Sequence, residues 1–138
     1  MEQVKIRLQN ISKSYYSETA VTQALRKINL EFSMGEFVAI TGESGSGKST
    51  LLNIIGGMDT FDEGEMFVDG EPTFQYDDQD WEAFRRNKIG YIFQDYSLVG
   101  HYTALDNVMS ALLILGVEKK RCQRDGYEIP GSGRSGRL

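Results

Sequence analysis

Gly42-Glu43-Ser44-Gly45-Ser46-Gly47-Lys48-Ser49 matches the spacing G-x-x-x-x-G-K-[S/T] at every fixed position. The chemistry that needs these residue types is phosphate binding. Several backbone N–H groups must reach phosphate oxygens together, and glycines let the chain fold that tightly without a Cβ in the way. A helix that starts at such a loop adds its unpaired N–H groups and the positive end of its dipole. Lys48 would bring a full charge to the β- and γ-phosphates, and Ser49 a hydroxyl to Mg²⁺. Thr50, one residue further into the helix, would lie near an α-phosphate. The rival reading is a glycine-rich turn carrying an accidental lysine, so the flanking elements matter.

They agree with the phosphate reading. Phe37 to Ile40 is a continuous apolar run, the pattern of a strand covered on both faces. Leu51 to Ile55 predicts a helix closed by Gly56-Gly57. Together they read as strand, glycine loop, helix. Upstream, Val4, Ile6 and Leu8 alternate with polar residues, as do Ile28, Leu30 and Phe32, each predicting a half-buried strand. The polar stretch Ser12 to Thr22 lies between them, and Met34-Gly35-Glu36 reads as a turn. Downstream, Glu65 to Val68 predicts a short strand ending in an Asp69-Gly70 turn. Asp78 to Asn87 predicts a helix with acidic start and basic end, and Ile89 to Phe93 another strand. Thr103 and Asp106 have capping-box spacing, with Asp where Glu or Gln is usual. Leu105, Val108, Met109, Leu112 and Leu113 then recur at the spacing of one apolar helix face, with Gly116 as its stop.

Composition narrows the function classes. The 138 residues carry 15 Lys+Arg and 20 Asp+Glu, a net charge of -5, which argues against a broad nucleic-acid footprint. One cysteine, Cys122, and one histidine, His101, exclude a disulfide framework and a Cys/His zinc site. The longest apolar patch, Val108 to Val117, is too short to span a bilayer, so the expected setting is cytoplasmic. Asp59 to Glu82 holds ten acidic residues and no Lys or Arg, which reads as a solvated face. Residues 117–138 carry a net +3 against -8 for the rest. From Ile129 onward almost nothing is available to bury, the composition of a flexible tail.

The order of several motifs resembles a known family. Ile11-Ser-Lys-Ser-Tyr15, Ala24 to Leu30, Gly35 to Ile40, the glycine loop, Gly64-Glu65 and Ile89-Gly-Tyr-Ile-Phe-Gln94 follow each other as in ABC transporter ATP-binding subunits. The likeness runs from residue 4 to about 120. It is strongest to the subfamily serving lipoprotein-release, macrolide-export and antimicrobial-peptide-resistance transporters, whose helix start after the glutamine loop is similar to Thr103-Ala-Leu-Asp-Asn-Val108. The resemblance implies an α/β fold: a P-loop NTPase core of the ABC ATPase type, incomplete here, with an N-terminal antiparallel β subdomain. Residues 1–117 would be the N-terminal part of the ATP-binding domain and 118–138 a charged, then Gly/Arg/Ser-rich, disordered tail.

For the site, the resemblance implies ATP and Mg²⁺. Gly42, Ser44, Gly45, Ser46, Gly47, Lys48, Ser49 and Thr50 would hold the phosphates. Tyr15 would stack on adenine, with Tyr16 as a rival. Gln94 would reach Mg²⁺ and the attacking water, joining Lys48 as a catalytic residue and Ser49 as a metal ligand. Leu98, Val99 and the helix from Thr103 resemble a groove for a transporter's coupling helix, with plain core packing as the competing reading. The implied partners are a permease subunit or fused permease domain and a second ATP-binding subunit, and the implied location is peripheral, on the inner face of the cell membrane.

Other family motifs do not occur in these residues. There is no Leu-Ser-Gly-Gly-Gln signature, no apolar strand ending in Asp-Glu (Walker B) and no switch histidine. Phosphoryl transfer to water is mostly positioning and charge stabilisation, so the chain alone is expected to be inactive, leaving a nucleotide-binding or permease-docking fragment as the alternative reading. The family-like register ends near Asp125, as in a truncated or frame-shifted product. Apolar strands without neighbours would leave such a chain marginally stable.

Overall fold

A computed structural model describes residues 3–95 and 97–117. The chain forms two compact units, one running to Arg85 and the other from Arg86 onward. The proposed tail, 118–138, lies outside the described residues.

The first unit is built on β1 (Val4–Tyr16), β2 (Val21–Ser33), β3 (Glu63–Val68) and β4 (Glu71–Pro72). They form one antiparallel sheet in the order β2-β1-β3-β4. The polar stretch from Ser12 does not end the strand. It carries β1 on to Tyr16 and into a tight turn, where Ser17 N–H donates to the Ala20 carbonyl at 2.9 Å. Between β3 and β4, Asp69 and Gly70 have φ of 52° and 88°, the positive pair that a two-residue hairpin turn with matching twist requires.

The register along β1 shifts at several points, and the shift after Leu8 has a consequence for the site. Leu8 pairs with Leu30 on one side and Met66 on the other. The register then shifts before Ile11, where Asn10 takes a φ of 52°. Such a bulge changes which residues face inward. Ile11, Ser12 and Lys13 are buried, whereas Gln9 and Asn10 are exposed. Leu8, Ile11, Leu25, Met66 and Val68 form the sheet's share of the core. Leu51 and Ile54 of α1 (Lys48–Ile55) and Phe84 of α2 (Asp78–Lys88) are buried in the same unit.

The apolar run Phe37–Ile40, expected as a strand, has no regular secondary structure and no strand partner among the described residues, and Phe37 is 97% exposed. Ile89 to Phe93 behaves likewise in the second unit, with Ile92 91% exposed. The reason is common to both: a strand is defined by the ladder it joins, and neither run has a strand beside it among the described residues. The second unit's α3 (Ala104–Ile114) starts as expected. Thr103 Oγ1 accepts from Asp106 N–H at 3.1 Å, and Asp106 returns the bond to Thr103 N–H. Of its apolar face, Met109 is buried, while Leu105, Val108 and Leu112 are half-buried and Leu113 is exposed. No helix among the described residues is long and apolar enough to cross a membrane.

Candidate phosphate-binding site

The glycine loop leads straight into α1. Gly47 is the residue before the helix, with φ 88° and no side chain to cap it. A Cβ there would stand 2.4 Å from the Ala24 carbonyl oxygen and 3.2 Å from Leu25 Cδ2. Both the φ and the contact with β2 therefore demand glycine. At Gly42 the demand comes from the loop itself, because a Cβ would meet Ser46 Oγ at 2.8 Å. The first-turn N–H groups of α1 receive no side-chain cap, which leaves them oriented as anion donors.

Lys48 folds back across this loop. Its Nζ donates to the Gly42 carbonyl at 2.9 Å, to the Glu43 carbonyl, and to Ser46 Oγ at 3.3 Å. The ammonium thus lies against the loop that carries Ser44, Gly45 and Ser46, held by neutral oxygens rather than by a carboxylate. Such a charge can exchange weak carbonyl partners for a phosphate at modest cost. Ser49 and Thr50 follow in the first turn, Ser49 exposed and Thr50 half-buried.

Tyr15 reaches the same helix from β1. Its hydroxyl donates to Asp59 Oδ2 at 2.7 Å and lies 3.4 Å from Thr50 Oγ1. Tyr15 is 42% exposed, and Lys13 Nζ stands over its ring, 5.3 Å from the centroid. Tyr16, the last residue of β1, is 76% exposed. Gln94 lies in a turn of the second unit and is exposed. The structure thus brings Tyr15 and the residues Gly42 to Thr50 together within one unit, whereas Gln94 belongs to the other. Leu98 and Val99 line a concavity of that second unit, with Phe93, Tyr102 and Val108.

Three residues escaped the sequence reading. Lys13, only 7% exposed, pairs with Asp59 at 3.2 Å and Asp62 at 3.9 Å, and donates to Thr60 Oγ1 at 3.4 Å. Asp62 also accepts from Ser14 N–H at 2.6 Å. Burial pushes the Asp59 carboxyl up. Hydrogen bonds from Tyr15, the Thr60 N–H and Lys13, with the charge of Lys13, outweigh it and hold the group below its ordinary value. The signal was Lys13 itself, placed two residues before Tyr15. The two aspartates were submerged in the acidic run taken as a solvated face.

Comparison with known proteins adds a further line. The family model described as ABC transporter matches residues 25–130. Over 108 residues the chain is 45% identical to an uncharacterized ABC transporter ATP-binding protein, MJ0796, of Methanocaldococcus jannaschii, covering 78% of this chain and 46% of that protein. It is 40% identical over 124 residues to the lipoprotein-releasing system ATP-binding protein LolD of Bacteroides thetaiotaomicron, covering 90% and 55%. A dimeric structure of a post-hydrolysis state of the ATP-binding cassette MJ0796, bound to ADP and Pi, superposes with a TM-score of 0.82 at 39% identity, covering 89% of this chain and 54% of that one. The chain spans about half the length of these relatives.

Proposed function

Since this chain belongs to the ABC transporter family, we propose that it is the Mg-ATP-binding N-terminal part of a transporter's ATP-binding cassette. Residues 1–117 form that part in this reading, and 118–138 follow as a charged, then Gly/Arg/Ser-rich, tail. In this reading the backbone from Gly42 to Gly47 cradles the β- and γ-phosphates, with Ser44 and Ser46 at the rim. Lys48 leaves the Gly42 and Glu43 carbonyls for the phosphates. Ser49 supplies a hydroxyl to Mg²⁺, Thr50 meets the α-phosphate, and Tyr15 offers its ring to adenine. For Gln94 the family resemblance implies a role toward Mg²⁺ and the attacking water. A permease, as a subunit or fused domain, and a second ATP-binding subunit are the partners, which places the protein at the cytoplasmic face of a membrane.

The observation that most supports this reading is the posture of Lys48: a cation returned over a glycine loop at the start of a helix, bonded to neutral oxygens. Calorimetric titration of the chain with Mg-ATP tests it. Lys48→Ala removes a charge-assisted contact and should weaken binding about tenfold to a hundredfold. Equal affinity in the variant would overturn the assignment.

For turnover, a carboxylate that polarises water and a partner's signature loop are both required in this reading, and neither is among these 138 residues. The chain by itself therefore binds nucleotide without hydrolysing it. Phosphate release should equal that of the Lys48→Ala control, and a rate above it would refute this point.

A further inference from the structure

The phosphate loop leaves unexplained why a lysine and two aspartates are gathered beneath Tyr15. Lys13 is buried at 7% exposure, and a buried ammonium is costly unless charged partners surround it. Its partners, Asp59 and Asp62, come from the loop that follows α1, 46 and 49 residues further along the chain. Asp59 divides its two oxygens: Oδ1 takes Lys13 at 3.2 Å and Oδ2 takes the Tyr15 hydroxyl at 2.7 Å. A tyrosine on a strand end is ordinarily free to rotate about χ1 and χ2. Here its far end is pinned by a carboxylate that is itself pinned by a buried cation. Lys13 also covers one face of the ring at 5.3 Å, so the opposite face is the one offered to a flat partner.

The pin is anchored at both ends of one helix. Asp59 lies four residues beyond the C-terminus of α1, while Lys48, Ser49 and Thr50 begin it, and Thr50 Oγ1 is 3.4 Å from the same hydroxyl. Tyr15 is thereby referenced to the helix that carries the phosphate loop, not only to its own strand. We propose that Asp59, supported by Lys13, is a positioning residue that fixes the Tyr15 ring at a set distance and tilt from the phosphate loop, so that base stacking and phosphate binding reinforce each other. This rests on the nucleotide-binding reading above. Asp59 itself touches neither base nor phosphate.

The test separates base from phosphate. The full chain, wild type and variants, is titrated with Mg-ATP and with magnesium tripolyphosphate, which keeps the phosphates and lacks the base. Asp59→Asn and Tyr15→Phe should each weaken ATP binding about threefold to tenfold, the worth of one hydrogen bond, and leave tripolyphosphate affinity within about twofold. The losses should be less than additive in the double variant, because both substitutions act through the contact between Asp59 and the Tyr15 hydroxyl. Tyr15→Phe keeps the ring and its packing, and its thermal melt reports whether the fold persists. Equal losses for both ligands would make Asp59 merely structural and overturn the proposal, as would full additivity or an unchanged ATP affinity. Failure of the wild-type chain to bind either ligand is a different result: it would remove the nucleotide reading, and this inference with it.

Discussion

The β1–β2 hairpin and the run Phe37–Ile40, both in the first unit, differ in what their apolar residues find. β1 and β2 are joined by a four-residue connection and pair along nearly their whole lengths. Phe37–Ile40, more uniformly apolar than either, pairs with nothing among the described residues. Antiparallel neighbours are cheap to bring together because their closing loop is short. A strand of the doubly covered kind draws its parallel neighbours from a dozen or more residues away. Yet the glycine loop that follows Phe37–Ile40 is still formed. Its shape is held from the other side, by Gly47 against the Ala24 carbonyl of β2 and by Lys48 across the loop. In this unit the phosphate loop is held by the hairpin and α1, not by the apolar run that precedes it.

That contrast can be broken most forcefully in the hairpin core. Ile11 is fully buried beside the bulge, and Ile11→Ala should cost about 2–5 kcal/mol, a transfer loss plus a cavity. Phe37→Ala should change stability by no more than about 0.5 kcal/mol, since an exposed ring has little packing to lose. Urea unfolding midpoints of the two variants measure both. Comparable losses would mean that Phe37 is buried in solution and that the two stretches do not differ.

A smaller effect probes the joint between hairpin and loop. Gly47→Ala places a Cβ against the Ala24 carbonyl and forces a positive φ on alanine. The expected loss is about 1–3 kcal/mol, accompanied by weaker Mg-ATP binding as the loop shifts. A variant that keeps both wild-type stability and wild-type affinity would show that β2 does not hold the loop.

The parts legible in the sequence were those governed by short-range rules. The glycine loop, the start of α1, the Asp69-Gly70 turn and the Thr103–Asp106 capping box each depend on residues within one turn of one another. Phe37–Ile40 and Ile89–Phe93 were misread because an apolar run reports what a segment would bury, not whether a neighbour is present. The Lys13–Asp59–Asp62 cluster was invisible for another reason. It requires the bulge at Asn10, which turns Lys13 inward, and partners far along the chain that share their composition with a run of solvated acids.

The finest distinction concerns that cluster and pH. Asp59 is held below its ordinary value in the folded chain, whereas the unfolded carboxyl titrates near about 3.9. Between those values the unfolded state binds more protons than the folded one, so stability rises with pH there. The contribution is complete above the unfolded value and is lost as pH falls through the folded one. Asp59→Asn has no such proton to bind. The stability advantage of the wild-type chain over this variant should therefore be constant near neutrality and shrink as pH drops below about 4. Measured without nucleotide, so that phosphate titration does not intrude, a gap independent of pH would show that Asp59 is not held as a carboxylate by Tyr15 and Lys13. In that case the pin beneath the ring would lose its electrostatic basis, while the glycine loop and Lys48 would be untouched.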